Sequence, residues 1–178
     1  MAMLVTHLSA AAGSLAWMTI EWIRYGKPSV LGIVTGMVAG LGTITPASGF
    51  VGPIGGVLIG LSAGVVCYFA TQAIKSKFKI DDSLDVFPVH GVGGILGTVL
   101  AAVFVSSSWG GAGYADGMGL GSQFMVQLIG VVATFVYTAV VSYVLLKLIS
   151  KVVELRVDED TEQQGLDLVQ HGETGYNL

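Results

Sequence analysis

Five long apolar runs, separated by short polar or glycine-rich breaks, make up most of the 178-residue chain. They lie at about 4–22, 30–45, 51–74, 84–105 and 124–149, and each can span, or nearly span, the ~30 Å hydrocarbon core of a bilayer as a helix. The second is the shortest and is rich in glycine. Trp17, Glu21 and Trp22 close the first run, where the two indoles suit an interfacial belt, and no basic residue precedes it as a signal peptide would require. Thr45-Pro46-Ala47-Ser48-Gly49 reads as a turn ending the second run. The pattern predicts an all-α membrane protein, a polytopic helical bundle over 1–150 followed by a polar tail over 151–178.

Composition agrees. With 53% hydrophobic and 11% charged residues, the chain is far from the balance of a soluble domain. Its 26 glycines follow no collagen period and sit inside the apolar runs, where membrane helices tolerate them. Gly32, Gly36 and Gly40 form one ladder at four-residue spacing, Gly56, Gly60 and Gly64 a second, and Gly93 with Gly97 a further pair. Such ladders let helix backbones approach closely and argue for a packed bundle. Cys67 is the single cysteine and reads as a small packing residue.

Charge orders the runs. The basic residues Arg24, Lys27, Lys75, Lys77, Lys79, Lys147, Lys151 and Arg156 fall after the first run, after the third and at the end of the fifth, while 46–52 and 106–121 carry none. Five spans put all the basic segments on one side, so the positive-inside rule makes the C-terminus cytoplasmic. The net charge of −4 is carried largely by the tail, and no basic surface favours nucleic acid.

The chemistry concentrates in Asp85-Val86-Phe87-Pro88-Val89-His90-Gly91-Val92-Gly93-Gly94-Ile95-Leu96-Gly97. Between Asp85 and Val105, His90 is the single ionisable side chain, and a helix entering near Leu84 places it about 9 Å deep. An imidazole there needs a partner or a water-accessible cavity, so it marks a site, the plainer reading being a histidine that ties two helices together. Val86, His90, Gly93 or Gly94, Gly97 and Ala101 recur at helical spacing and predict one face of small residues around the ring. Thr45 can line a pathway or bond its own helix backbone. Ser83 or Asp85 is the expected cap of the fourth span, with Asp81 and Asp82 as solvated charges. Trp109 and Tyr114 read as interfacial aromatics, His7 as an interfacial residue and not a ligand, and His171 as a solvated residue without metal-ligand spacing. No cofactor, metal or catalytic set is indicated.

These residues carry a likeness. Asp81-Asp82, the segment from Asp85 to Gly94, Thr45-Pro46-Ala47-Ser48-Gly49, Leu155-Arg156-Val157 and the tail from Gly165 to Asn177 together resemble the ammonium transporter (Amt) family over essentially the whole chain. The resemblance implies the second half of an inverted-repeat ammonium transporter fold, its last five spans and cytoplasmic tail, and hence a fragment of a longer protein. It implies transport of ammonium or ammonia across the plasma membrane through a hydrophobic pore lined by His90, Val86 and Thr45. His90 matches the second of the family's two pore histidines, and the first, with the outer ammonium site, falls on helices this chain lacks. It also implies a homotrimer in the full-length parent. Gly165, Asp167, His171, Gly172, Glu173 and Tyr176 match a regulatory motif at which a PII-type nitrogen-signalling protein docks in many members. Val169 stands where some plant relatives carry a regulatory threonine, so that switch does not carry over. A five-span accessory membrane protein without its own pore is the alternative.

Overall fold

The computed structural model describes residues 1–175, and all its regular elements are helical. They are α1 (Ala2–Tyr25), α2 (Val30–Ile44), α3 (Pro53–Gln72), α4 (Gly93–Phe104), α5 (Leu120–Ile149), α6 (Glu159–Gln164) and α7 (Leu166–His171). A π-helical turn, Ala73–Lys77, extends α3, another, Phe87–Val92, leads into α4, and a 3-10 turn, Ser107–Trp109, follows it. The chain divides into two compact units, Met1–Val132 and Ala133 onward. Each of the five apolar runs is a helix. Four are long and apolar enough to cross a membrane, and α2, at 15 residues, is shorter.

Local chemistry sets the ends. Gly26 adopts a left-handed conformation (φ 75°) and donates its N–H to the Trp22 carbonyl at 2.9 Å, which stops α1. Ser29 caps α2 by accepting from Gly32 N at 2.9 Å. Glu21 holds that cap in place. Its Oε2 accepts from Ser29 N at 2.7 Å and from Ser29 Oγ at 3.0 Å, and its Oε1 accepts from Trp17 Nε1 at 3.2 Å. Pro53 sits in the first turn of α3, where its missing N–H costs nothing.

The first unit is built around α1, which lies between the two glycine ladders. A Cβ on Gly40 or Gly60 would run into the backbone of Ser9, and one on Gly36 or Gly64 into that of Gly13. Ser9 Oγ donates to the Gly40 carbonyl at 2.8 Å in this dry contact. Two apolar clusters flank the seam. One joins Val5, Ile44, Val51, Ile59 and Phe104, the other Trp17, Ala39, Ala63, Cys67, Tyr68 and Val89.

Trp17 thus departs from the interfacial role expected of it. It is 4% exposed and meets Tyr68 edge-to-face, because Glu21 one turn on satisfies its indole N–H within the bundle. Trp22 is exposed, as a belt residue would be. The loop after α4 is more ordered than bland interfacial aromatics imply. Trp109 packs on Phe104, and Tyr114 donates its hydroxyl proton to the Ala102 carbonyl at 3.0 Å.

The second unit contains the end of α5 and the tail. Composition alone points to a disordered tail, yet it folds into α6 and α7. Asp158 caps α6 by accepting from Thr161 N and Thr161 Oγ1, both at 2.9 Å. Gly165 (φ 94°) and Gly172 (φ 64°) supply the backbone turns on either side of α7. Arg156 grips Glu162 through two of its guanidinium nitrogens, at 2.8 to 3.2 Å.

Candidate functional site around His90

His90 sits in the π turn Phe87–Val92, one residue after the buried pair Pro88 and Val89. Its ring is on the exposed surface of the first unit, against α2 at Gly42. A Cβ added to Gly42 would lie 3.7 Å from His90 Nδ1 and 3.7 Å from the Val89 carbonyl oxygen. The missing side chain therefore leaves room for the imidazole beside the helix. Among the described residues, His90 makes no hydrogen bond to a neighbouring helix, which is the contact a tethering histidine would need.

The π turn also corrects the predicted small-residue face. A π turn winds less per residue than an α turn, so it shifts the helical phase between His90 and α4. Gly93, Gly97 and Ala101 point inward instead of sharing the exposed side with His90. A Cβ on Gly93 would lie 2.8 Å from Thr43 Oγ1 and 3.3 Å from Cys67 Sγ, and one on Gly97 would collide with the Thr43 carbonyl. Gly94, four residues after His90, borders open space. Val86 is 52% exposed, and Phe87 shares its exposure.

Capping differs from expectation as well. Asp82, expected to be a solvated charge, accepts from Val86 N and Phe87 N, both at 2.8 Å. Asp85 does not cap. It takes a left-handed backbone (φ 55°) and turns its carboxylate to Lys75, Oδ1 to Nζ 2.8 Å. That turn aims the first free N–H groups of the helix back at the carboxylate three residues upstream.

Thr45 is exposed at the end of α2, three residues beyond Gly42 and so on the same helical face. Its hydroxyl donates to the Leu41 carbonyl at 2.7 Å, the backbone bond that is the plainer use of such a residue. Gly42 is the residue that sequence reasoning passes over, since it is out of phase with the ladder through Gly32, Gly36 and Gly40. In the tail, Gly165, Asp167, His171 and Gly172 belong to α7 or flank it. The Asp167 carbonyl accepts from Glu173 N at 2.9 Å, and Tyr176 lies outside the described residues.

Comparison with known proteins settles the lineage of this arrangement. The family model described as Ammonium Transporter Family matches residues 1–176. The chain belongs to the ammonium transporter family. It is 46% identical over 179 residues to the ammonium transporter of Aquifex aeolicus, covering 99% of this chain and 41% of that protein. It is 42% identical over 173 residues to the ammonium transporter of Bacillus subtilis, covering 96% and 43%. The solved structure of a sensor Amt protein matches with a TM-score of 0.84 at 29% identity, over 95% of this chain and 41% of that one. The chain spans about two-fifths of the length of these ammonium transporter relatives. It is a multi-pass membrane protein of a transporter family rather than an enzyme family.

Proposed function

We propose that this chain forms one wall of the conduction pathway of an ammonium transporter, with His90 as the polar group on that wall. The observation that carries the reading is His90 itself. It is an exposed imidazole on an apolar bundle, lodged against a glycine and without an interhelical hydrogen bond among the described residues, in a chain about two-fifths the length of its relatives. The remaining length is expected to supply the opposite wall and a second imidazole. Val86 and Thr45, both exposed, line the same passage.

The chemistry follows from desolvation. A bare cation at the bilayer centre costs at least ~2.5–3.5 kcal/mol on insertion scales, so an apolar bore excludes K⁺. Ammonium can shed its proton and pass as ammonia. A pair of imidazoles offers ring nitrogens that can hydrogen-bond ammonia and pass a proton along.

The distribution of basic residues supports a cytoplasmic C-terminus in a transporter of the plasma membrane. The parent is a homotrimer, and α6–α7 with Gly165, Asp167, His171, Gly172 and Glu173 form a regulatory surface for a PII-type partner, the motif continuing in sequence to Tyr176. The test is flux in proteoliposomes. The full-length parent should carry ammonium or methylammonium and exclude K⁺, and His90→Ala should alter flux or admit K⁺. Unchanged flux and unchanged K⁺ exclusion in His90→Ala would remove His90 from the pathway.

A further inference from the structure

An ion pair in the first unit joins two unusual pieces of backbone. Lys75 lies in the π turn that ends α3. Asp85 lies just before the segment that carries His90 in the other π turn. Their charged atoms are 2.8 Å apart, with the Asp85 side chain 17% and the Lys75 side chain 44% exposed. Helices seldom contain π turns, and those they do contain often fall at functional sites.

Asp85 is also left-handed at φ 55°. A residue other than glycine keeps that conformation only when its surroundings hold it, and aspartate and asparagine are among the side chains that adopt it most readily. The Asp85 Oδ1 is buried, and the Lys75 ammonium is the group that meets it. From Asp85 the chain runs directly to the imidazole. The Asp85 carbonyl accepts from Val89 N at 3.0 Å, and Asp82 fixes Val86 N and Phe87 N, so the backbone leading to His90 is held from both aspartates.

We propose that Lys75 and Asp85 are a positioning pair for His90. The ion pair ties the π turn at the end of α3 to the π turn under the imidazole, and it thereby sets how well the pathway separates ammonium from a cation that cannot lose a proton. This rests on the reading of His90 as a pathway residue. An exposed ion pair on an ordinary helix contributes little. This one differs because its acidic partner is mostly buried and sets the backbone that aims a functional ring.

The test uses full-length transporter reconstituted at matched protein content. Asp85→Asn removes the charge and keeps a residue suited to φ 55°, Lys75→Met removes the other charge, and Lys75→Arg keeps it. Asp85→Asn and Lys75→Met should each lower methylammonium flux by about threefold to tenfold and raise K⁺ leakage, because a pathway group whose support is removed shifts out of its working geometry. The double variant should be no worse than either single one, and Lys75→Arg should behave as the parent. Three results would overturn the pairing: flux and K⁺ exclusion unchanged in both single variants, multiplied losses in the double variant, or a Lys75→Arg defect equal to that of Lys75→Met. His90→Ala, measured alongside, separates the two proposals. If it changes transport while the pair variants do not, only the positioning role fails, and if it too is silent the reading of the site fails.

Discussion

Gly40 and Gly42 stand two residues apart on α2 and serve opposite ends. At Gly40 a Cβ would come within 2.8 Å of the Ser9 carbonyl carbon and 3.0 Å of Ala10 Cα, backbone that cannot step aside. At Gly42 the nearest atoms to a Cβ, His90 Nδ1 and Val89 O, are both at 3.7 Å, an ordinary van der Waals distance. One glycine lets two helices touch, and the other leaves space for an imidazole. The first unit accordingly has a closed seam, where α1 is clasped by α2 and α3, and an open face, where a polar ring stands beside an apolar surface. A tight helix contact and a space beside a ring are made with the same residue type, and only the neighbour's identity tells them apart.

The sharpest way to break this contrast is to fill the seam. Gly40→Val should destabilise the first unit by ~3 kcal/mol or more, since overpacking a core typically costs ~1–3 kcal/mol and here two helix backbones must separate. Unfolding by denaturing detergent in mixed micelles would measure it. Gly42→Ala should move stability the other way, by up to ~1 kcal/mol, because an alanine fits and favours the helix. A Gly42→Ala loss as large as that of Gly40→Val would erase the distinction.

Smaller effects refine it. Ser9→Ala removes the bond to the Gly40 carbonyl, and interhelical hydrogen bonds in membranes average ~0.6 kcal/mol, so the seam should weaken only slightly in the same unfolding measurement. Close packing, not the hydrogen bond, would then be its main support. The tail supplies a control that leaves both faces of the first unit alone. Two hydrogen bonds from Thr161, the backbone one foremost, hold the Asp158 carboxyl below its ordinary value. Its contribution to α6 is therefore fully present above the ordinary carboxylate range and is lost as pH falls through the lowered value. Acid should lower the protection factor of the Thr161 amide, its intrinsic exchange rate divided by the observed rate at the same pH, before it changes protection at Ser9 or Gly40.

Much of this arrangement is legible in sequence. Apolar runs, the second closed by Pro46 and Gly49, mark the helices within a few residues, and four-residue glycine spacing marks the two ladders. What the ladders embrace is not legible, because α1 contributes Ser9, Ala12, Gly13 and Ala16, a mixed set that no single motif isolates. His90 stands out because an ionisable group in an apolar run is rare. Its surroundings escape the sequence for a definite reason. Helical periodicity assumes α winding, and the π turn Phe87–Val92 breaks the phase between His90 and Gly93, Gly97 and Ala101. Asp82 takes the cap expected of Asp85 for a related reason, since a left-handed aspartate turns its carboxylate away from the helix it precedes.

The role of His90 is tested most directly by an experimental structure of the full-length transporter. A continuous narrow opening bounded by Gly42, Val86 and His90 is expected, with a second imidazole from the other part of the chain within hydrogen-bonding distance of the His90 ring. A His90 ring packed against lipid or another helix, with no opening beside it and no second imidazole in reach, would refute that role.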